Sequence, residues 1–236
     1  DPLRYPEARA VIEEIAQEVD APFTFGTVTK RADESFNTTI LWLPETGPVD
    51  FYDKRQPVPF AEYAPDREFW RMFAPELVDM IPRGYSFGVR DGIYEIDDFM
   101  AGTLICFEIA EDWILRDLTH SGAEVILSQT NNADFGYSDE TFQQAAFARL
   151  RAIETGRTVV NVSTVGVSAI YAADGRVLQQ VQTFEPAVLE QKIALSNRMT
   201  PAMIAGPLLD LWFNLVAIVL VAFAATGALR KRIGER

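Results

Sequence analysis

The chain has 236 residues, a net charge of −13 and 48% hydrophobic residues, which suits one large domain or two small ones and argues against disorder. So acidic a balance repels phosphate backbones and sets nucleic-acid binding aside. One cysteine forbids an internal disulfide, and one histidine excludes metal sites that need two imidazoles.

Val11, Ile12, Ile15, Ala16 and Val19 recur at helical spacing, so Glu7 to Val19 is expected to be an amphipathic helix. Phe23–Val28 and Thr38–Leu43 read as strands, the second closed by a turn over Glu45-Thr46-Gly47-Pro48. Asp66 to Met80 reads as a helix carrying Phe69, Trp70, Met72 and Phe73. Ile93–Ile96 and Phe99–Ile105 are strand-like, Asp112–Ser121 helical, Glu124–Ser128 a strand and Glu140–Thr155 a long helix. Thr158–Ser163 reads as a buried strand, and Asp174-Gly175 joins a hairpin of Ser168–Ala172 and Arg176–Val181. Strands alternating with helices predict an α/β fold with packed sheets and helices outside.

Leu211 to Leu229 is an apolar run broken only by Asn214, Thr226 and Gly227. As a helix it spans roughly 28 Å, close to the ~30 Å hydrocarbon core of a bilayer. Gly206 and Pro207 mark where the preceding structure is expected to stop, which divides the chain into residues 1–205 and 206–236. Trp212 stands at the entering end, and Arg230, Lys231, Arg232 and Arg236 follow the run. That basic cluster predicts a cytoplasmic C-terminus and an extracytoplasmic body.

The strongest chemical feature is Gly102-Thr103-Leu104-Ile105-Cys106-Phe107-Glu108, an apolar strand ending at Cys106 with a helix starting near Asp112. A nucleophile at such a junction is held rigidly at a sheet edge, where backbone N–H groups stabilise a thiolate or an oxyanion. A lone cysteine is otherwise a small core hydrophobe, and both readings stand at this point. His120 ends the next helix, about two to three turns from the thiol, so a surface or capping role suits it better than pairing with Cys106. A carboxylate is then the expected base. The second feature is Tyr52-Asp53-Lys54-Arg55-Gln56-Pro57-Val58-Pro59-Phe60-Ala61-Glu62-Tyr63. Its prolines stiffen the segment, so that Lys54 and Glu62 are either fixed site groups or members of a charged surface loop.

Together these segments resemble the nitrilase, or carbon–nitrogen hydrolase, family, which uses a Glu–Lys–Cys triad on an α-β-β-α sandwich. Val58-Pro59-Phe60-x-Glu62-Tyr63, the Cys106-Phe107-Glu108 triplet, Thr130-Asn131-Asn132-Ala133-Asp134-Phe135-Gly136 and Ala148-Arg149-Leu150-Arg151-Ala152-Ile153-Glu154 are similar to its apolipoprotein N-acyltransferase branch. The terminal apolar helix with its basic tail belongs to that branch too. The resemblance implies a nitrilase-like sandwich followed by one transmembrane helix, Cys106 as nucleophile, Lys54 as the oxyanion-stabilising cation, and Glu62 and Glu108 as supporting carboxylates. It implies no cofactor and no metal. It implies a bacterial plasma-membrane enzyme that moves a fatty acyl chain from a phospholipid, through a cysteine thioester, to the α-amine of a diacylglyceryl-modified apolipoprotein. A membrane-anchored amidase with water as acceptor, and a non-catalytic scaffold, are the alternatives.

One departure matters. The family's general-base Glu ends a strand ahead of the first helix, whereas Glu7 opens the helix itself. The base is therefore expected before Asp1, and without it the chain would be catalytically crippled. Phe107 and Ala61 replace the more usual Tyr and Gly. Phe60, Trp70, Phe73 and Ile81 are candidates to line a lipid path or to be ordinary packing residues.

Overall fold

The computed structural model describes residues 1–81 and 84–234, with side chains through residue 225. The chain divides into two compact units, Asp1–Arg198 and Met199–Arg236.

The first unit opens with helix α1, Pro6–Val19, and an antiparallel sheet of β1 (Phe23–Arg31), β2 (Glu34–Leu43) and β3 (Gly47–Asp53) in the order β1-β2-β3. A six-stranded sheet follows in sequential order: β4 (Ile93–Ile96), β5 (Phe99–Ile105), β6 (Val125–Thr130), β7 (Thr158–Ser163), β8 (Ser168–Tyr171) and β9 (Val177–Val181). Its centre, β5-β6-β7, is parallel, and each crossover carries a helix, α4 (Asp112–His120) and α5 (Glu140–Thr155). Parallel neighbours need such long connections, and those connections cover the sheet face with helices.

Side chains alternate across a strand, and that alternation builds the layers. On β2, Ile40 and Trp42 pack with Ala16 of α1. Leu41 points the other way and meets Tyr52, Tyr94 and Ile105. On β5, Ile105 joins that second cluster, whereas Leu104 packs with Ile114, Leu115 and Leu118 of α4 and Ala148 and Ala152 of α5. The order is therefore helix, sheet, sheet, helix, the α-β-β-α sandwich that the family resemblance implies. Each buried Leu or Ile contributes about 1.5–3 kcal/mol of transfer free energy. Two polar ties cross between the sheets: Tyr94 Oη donates to the Thr39 carbonyl at 2.7 Å, and Gln129 Nε2 to Thr24 Oγ1 at 2.8 Å.

The structure departs from the sequence reading in three places. Gly47-Pro48 is the start of β3 and not a turn alone; proline is tolerated because β3 is an edge strand. Asp66–Met80 is not one helix but two short ones, α2 (Arg67–Arg71) and α3 (Pro75–Asp79). Pro75 disfavours helical geometry at Ala74, which sits at φ −144° and ψ 62°. The second unit is a helix, α6, from Pro201 to Gly234, so Gly206 and Pro207 lie inside it instead of ending what precedes. Pro201 starts it, with Thr200 Oγ1 accepting the Met203 N–H at 3.2 Å. Pro201–Ala225, with mean hydropathy 2.3, is long and apolar enough to cross a membrane. The side chains of Arg230, Lys231 and Arg232, and all of Arg236, lie outside the described residues.

Candidate active site

Strand β5 ends at Ile105, in extended geometry, and the chain turns sharply at Cys106, whose φ is +56°. A non-glycine residue held there costs on the order of 1–3 kcal/mol, so its surroundings must enforce it. A 3₁₀ turn, Cys106–Ala110, follows before α4 begins. Cys106 is only partly buried and packs against Leu41, Tyr52, Tyr94 and Ile105. It is not sealed in the core.

Lys54 follows β3 directly. Its backbone is pinned from two sides: its N–H donates to the Asn37 carbonyl at 2.8 Å, and its carbonyl accepts the Gly88 N–H at 2.8 Å. Gly88 has no room for a side chain, since a Cβ would stand 1.9 Å from the Asp53 carbonyl oxygen. Lys54 is 1% exposed, so the surface-loop reading of this segment does not hold for it. Its ammonium donates to Glu62 Oε2 at 2.7 Å. Glu62 is fixed in turn, accepting the Val58 N–H at 2.6 Å and Asn37 Nδ2 at 3.1 Å. The Pro57-Val58-Pro59 segment thus aims one carboxylate at one buried cation.

Glu108 is fully buried, two residues after the thiol. Its Oε2 accepts the Ile105 N–H at 2.8 Å. Its Oε1 accepts the Tyr52 hydroxyl at 2.9 Å and the N–H groups of Arg55 and Gln56 at 2.7 and 3.1 Å. One carboxyl therefore ties the residue before Cys106 to the two residues after Lys54. Burial pushes the Glu108 carboxyl above the usual carboxylate range, while the Ile105 and Gln56 N–H groups, the Tyr52 hydroxyl and the Lys54 charge pull it back. Burial, and then the Glu108 charge, push the Tyr52 hydroxyl up, so Tyr52 stays a donor.

The carboxylates of Glu62 and Glu108 are thus both occupied by donors, and neither has a hydrogen bond to the Cys106 thiol among the described residues. Glu7 is exposed in the first turn of α1, the helix that packs on the Ile40 and Trp42 face of β2, opposite the face bearing Leu41. His120 is exposed at the C-terminal end of α4. Ile81 is buried and does not belong to an exposed lipid path. Among the described residues no cluster of three or more His, Cys, Asp or Glu is arranged to hold a metal.

These features correspond to a known pattern. The model of the carbon-nitrogen hydrolase family matches residues 6–199. The chain belongs to the carbon–nitrogen hydrolase family. Among curated members, the apolipoprotein N-acyltransferase of Mycolicibacterium smegmatis is 35% identical over all of this chain and 41% of its own length. That of Photobacterium profundum is 27% identical over 83% of this chain and 40% of its own length. The chain thus spans about two fifths of the relatives it matches. Among solved structures, an amidase from Nesterenkonia sp. superposes with a TM-score of 0.59 at 17% identity, over 79% of this chain and 66% of the amidase, which shows the shared fold.

Three contributors to the site carry no separable signal in the sequence. Tyr52 reads only as part of a motif, yet its hydroxyl reaches Glu108. Asn37 ends the reach of Glu62 from β2. Arg151, inside the α5 motif and 4% exposed, donates to the Ile109 carbonyl at 2.8 Å and the Ala110 carbonyl at 2.7 Å. It anchors the 3₁₀ turn that carries Cys106 to the helix layer. The Thr130–Gly136 loop leaves β6, the strand next to β5, at the same sheet edge; Asn132 is tied there by Thr130 Oγ1 at 2.7 Å and to Thr141 Oγ1 at 2.9 Å.

Proposed function

We propose that this chain is the catalytic portion of a membrane-bound N-acyltransferase that carries a fatty acyl chain from a phospholipid to the α-amine of an S-diacylglyceryl-cysteine on a lipoprotein. The observation that carries the reading is a buried Lys54 cation in the segment clamped to the strained Cys106 turn. A general base other than Glu62 and Glu108 takes the thiol proton, the Cys106 thiolate attacks the ester carbonyl, and the lysophospholipid leaves as its alcohol with that proton, so that a thioester remains. The lipoprotein amine then attacks the thioester, yielding an amide and restoring the thiol. Lys54 stabilises the oxyanion of both tetrahedral intermediates by charge alone, an effect typically worth about 10²–10³ in rate for one donor. The two curated relatives above are named for this activity.

A surface beside the lysine segment favours lipid over a small soluble amide. Phe60, Trp70, Phe69 and Phe73 form a chain of two edge-to-face contacts and one tilted contact with centroids 5.2–5.6 Å apart, and Met72, Leu77 and Met80 stand beside it in sequence, all exposed. Soluble surfaces rarely leave so much contiguous hydrocarbon in water. In this reading the apron is a lipid-contacting surface of an extracytoplasmic body; α6 is, on its own account, a span of a bacterial plasma membrane with a cytoplasmic basic tail.

The test uses the full-length protein in detergent with a phospholipid bearing a labelled acyl chain. Mass spectrometry should find the label on Cys106, discharged by a diacylglyceryl peptide, and Cys106→Ser should abolish both. Free fatty acid with no transfer to the peptide would replace this reading with a hydrolase that uses water.

A further inference from the structure

The Tyr52–Glu108 contact does more than fill the space between the sheets. Glu108 has four donors and, on the side of those contacts, only donors: Tyr52 Oη at 2.9 Å, the N–H groups of Arg55 at 2.7 Å and Gln56 at 3.1 Å, and the Ile105 N–H at 2.8 Å. A carboxylate satisfies all four. A protonated carboxyl brings its own hydrogen into this ring of hydrogens, and one tie must open. The ties join the segment holding the cation to the last residue of β5, which sets the turn at Cys106. Ionised, Glu108 is a brace; protonated, it is a broken one.

The surrounding charges decide which form prevails. From the lysine segment come the Lys54 ammonium, which favours the carboxylate, and the Arg55 guanidinium, spent on Asp91 at 2.6 Å and Asp117 at 3.0 Å. From α5 comes Arg151, spent on the Ile109 and Ala110 carbonyls, Asp112 and Glu154. From β5 comes only the Ile105 N–H, and β6 carries no ionisable side chain. Among the described residues Tyr52 is thus the one side-chain hydroxyl placed on the brace.

We propose that Tyr52 is a positioning residue for the acyl transfer, its hydroxyl holding Glu108 as the carboxylate that locks the Lys54 segment to the Cys106 turn. The proposal rests on the reading of Cys106 as nucleophile. It touches no substrate atom and acts through Glu108 alone.

The test is the pH profile of kcat for acyl transfer by the full-length protein. Tyr52→Phe removes one donor from the ionised form, so Glu108 protonates at higher pH, and the acid limb should move up by about one unit while KM for the phospholipid stays within about twofold. Replacing Tyr52 by 3-fluorotyrosine, an isosteric and stronger donor, should move the limb the other way. Tyr94→Phe is the matched control: its hydroxyl is as deeply buried in the same cluster but donates to the Thr39 carbonyl. A packing role for Tyr52 would give the same profile in both phenylalanine variants, and that result, or an acid limb unmoved by fluorotyrosine, overturns the proposal. Persistence of thioester formation in Cys106→Ser would instead remove the nucleophile assignment beneath it, an outcome read without any Tyr52 variant.

Discussion

Two adjoining regions of this unit obey opposite rules. Between the sheets, an ammonium, a carboxyl and a phenol are buried and given defined partners, at 1%, 0% and 0% exposure for Lys54, Glu108 and Tyr52. On the apron, Phe69 and Leu77 on two helices of five residues each, and Met72, Phe73 and Met80 just after them, are exposed. The first region places polar groups where burial is expensive, and the second leaves hydrocarbon where water is. Neither arrangement is what folding alone would select. The contrast separates the two tasks of the proposed reaction, since charge must be fixed in the dry region and a lipid must be met at the surface.

The largest effect is expected where the buried region loses its cation. Lys54→Ala leaves the Glu62 carboxylate, 16% exposed, with only the Val58 N–H and the Asn37 amide. Breaking a buried pair from one side typically costs about 3–5 kcal/mol. Urea unfolding should show a loss of that order, and acyl transfer should fall by about 10²–10³ or more. An unfolding free energy within about 1 kcal/mol of the parent chain would mean that Glu62 finds water, and that this region is not dry.

The next effect depends on pH. Glu108→Gln keeps a carbonyl for Oε1-type contacts but turns an amide toward one of the N–H donors, so a loss of about 1–3 kcal/mol follows. Because burial raises the Glu108 carboxyl above its unfolded value, the folded chain keeps a proton over a window in which the unfolded chain has released it. Neutralising the buried charge outweighs the one tie that opens, so this contribution to stability is complete below the unfolded value and is lost as pH rises through the raised one, although the ionised form is the one that holds the brace. The deficit of Glu108→Gln should therefore be greatest on the acid side and shrink toward neutral pH. Thermal unfolding of both chains across pH 4–8 (roughly the carboxylate range and just above it) checks this, and a deficit that grows with pH contradicts it.

The contrast between the regions also explains how far the sequence could be read. The α/β class was legible because strands and helices alternate along the chain and the apolar strand ending at Cys106 is a local signal; the sandwich itself came from the family resemblance. Edge strand β3 was half hidden because Pro48 looks like a turn residue until its neighbour β2 is in place. The split of α2 from α3 follows from Pro75, a local cause that the helical spacing of Phe69, Trp70 and Phe73 masks. Cys106, Lys54, Glu62 and Glu108 were found through motifs, but the reason they cohere was not. The brace is made of backbone N–H groups and a phenol separated from Glu108 by more than fifty residues, and nothing in a residue's type announces such a bond.

The smallest stability effect is expected on the apron, and it is the one that sharpens the comparison most. Met72 and Phe73 are 70% and 69% exposed, so replacing both by serine removes little that is buried on folding. Exposed substitutions of this kind usually stay within about 0.5 kcal/mol each. If the apron meets lipid, the same pair should contribute to membrane affinity, because burying one such side chain in hydrocarbon gains about 1.5–3 kcal/mol. Sedimentation with phospholipid vesicles should then show roughly tenfold or greater weakening in a form of the chain that ends before α6. Unchanged stability with weakened vesicle binding fits a surface built for lipid. Lost stability with unchanged binding would instead make these residues part of the fold's own packing, and the two regions would no longer be opposites.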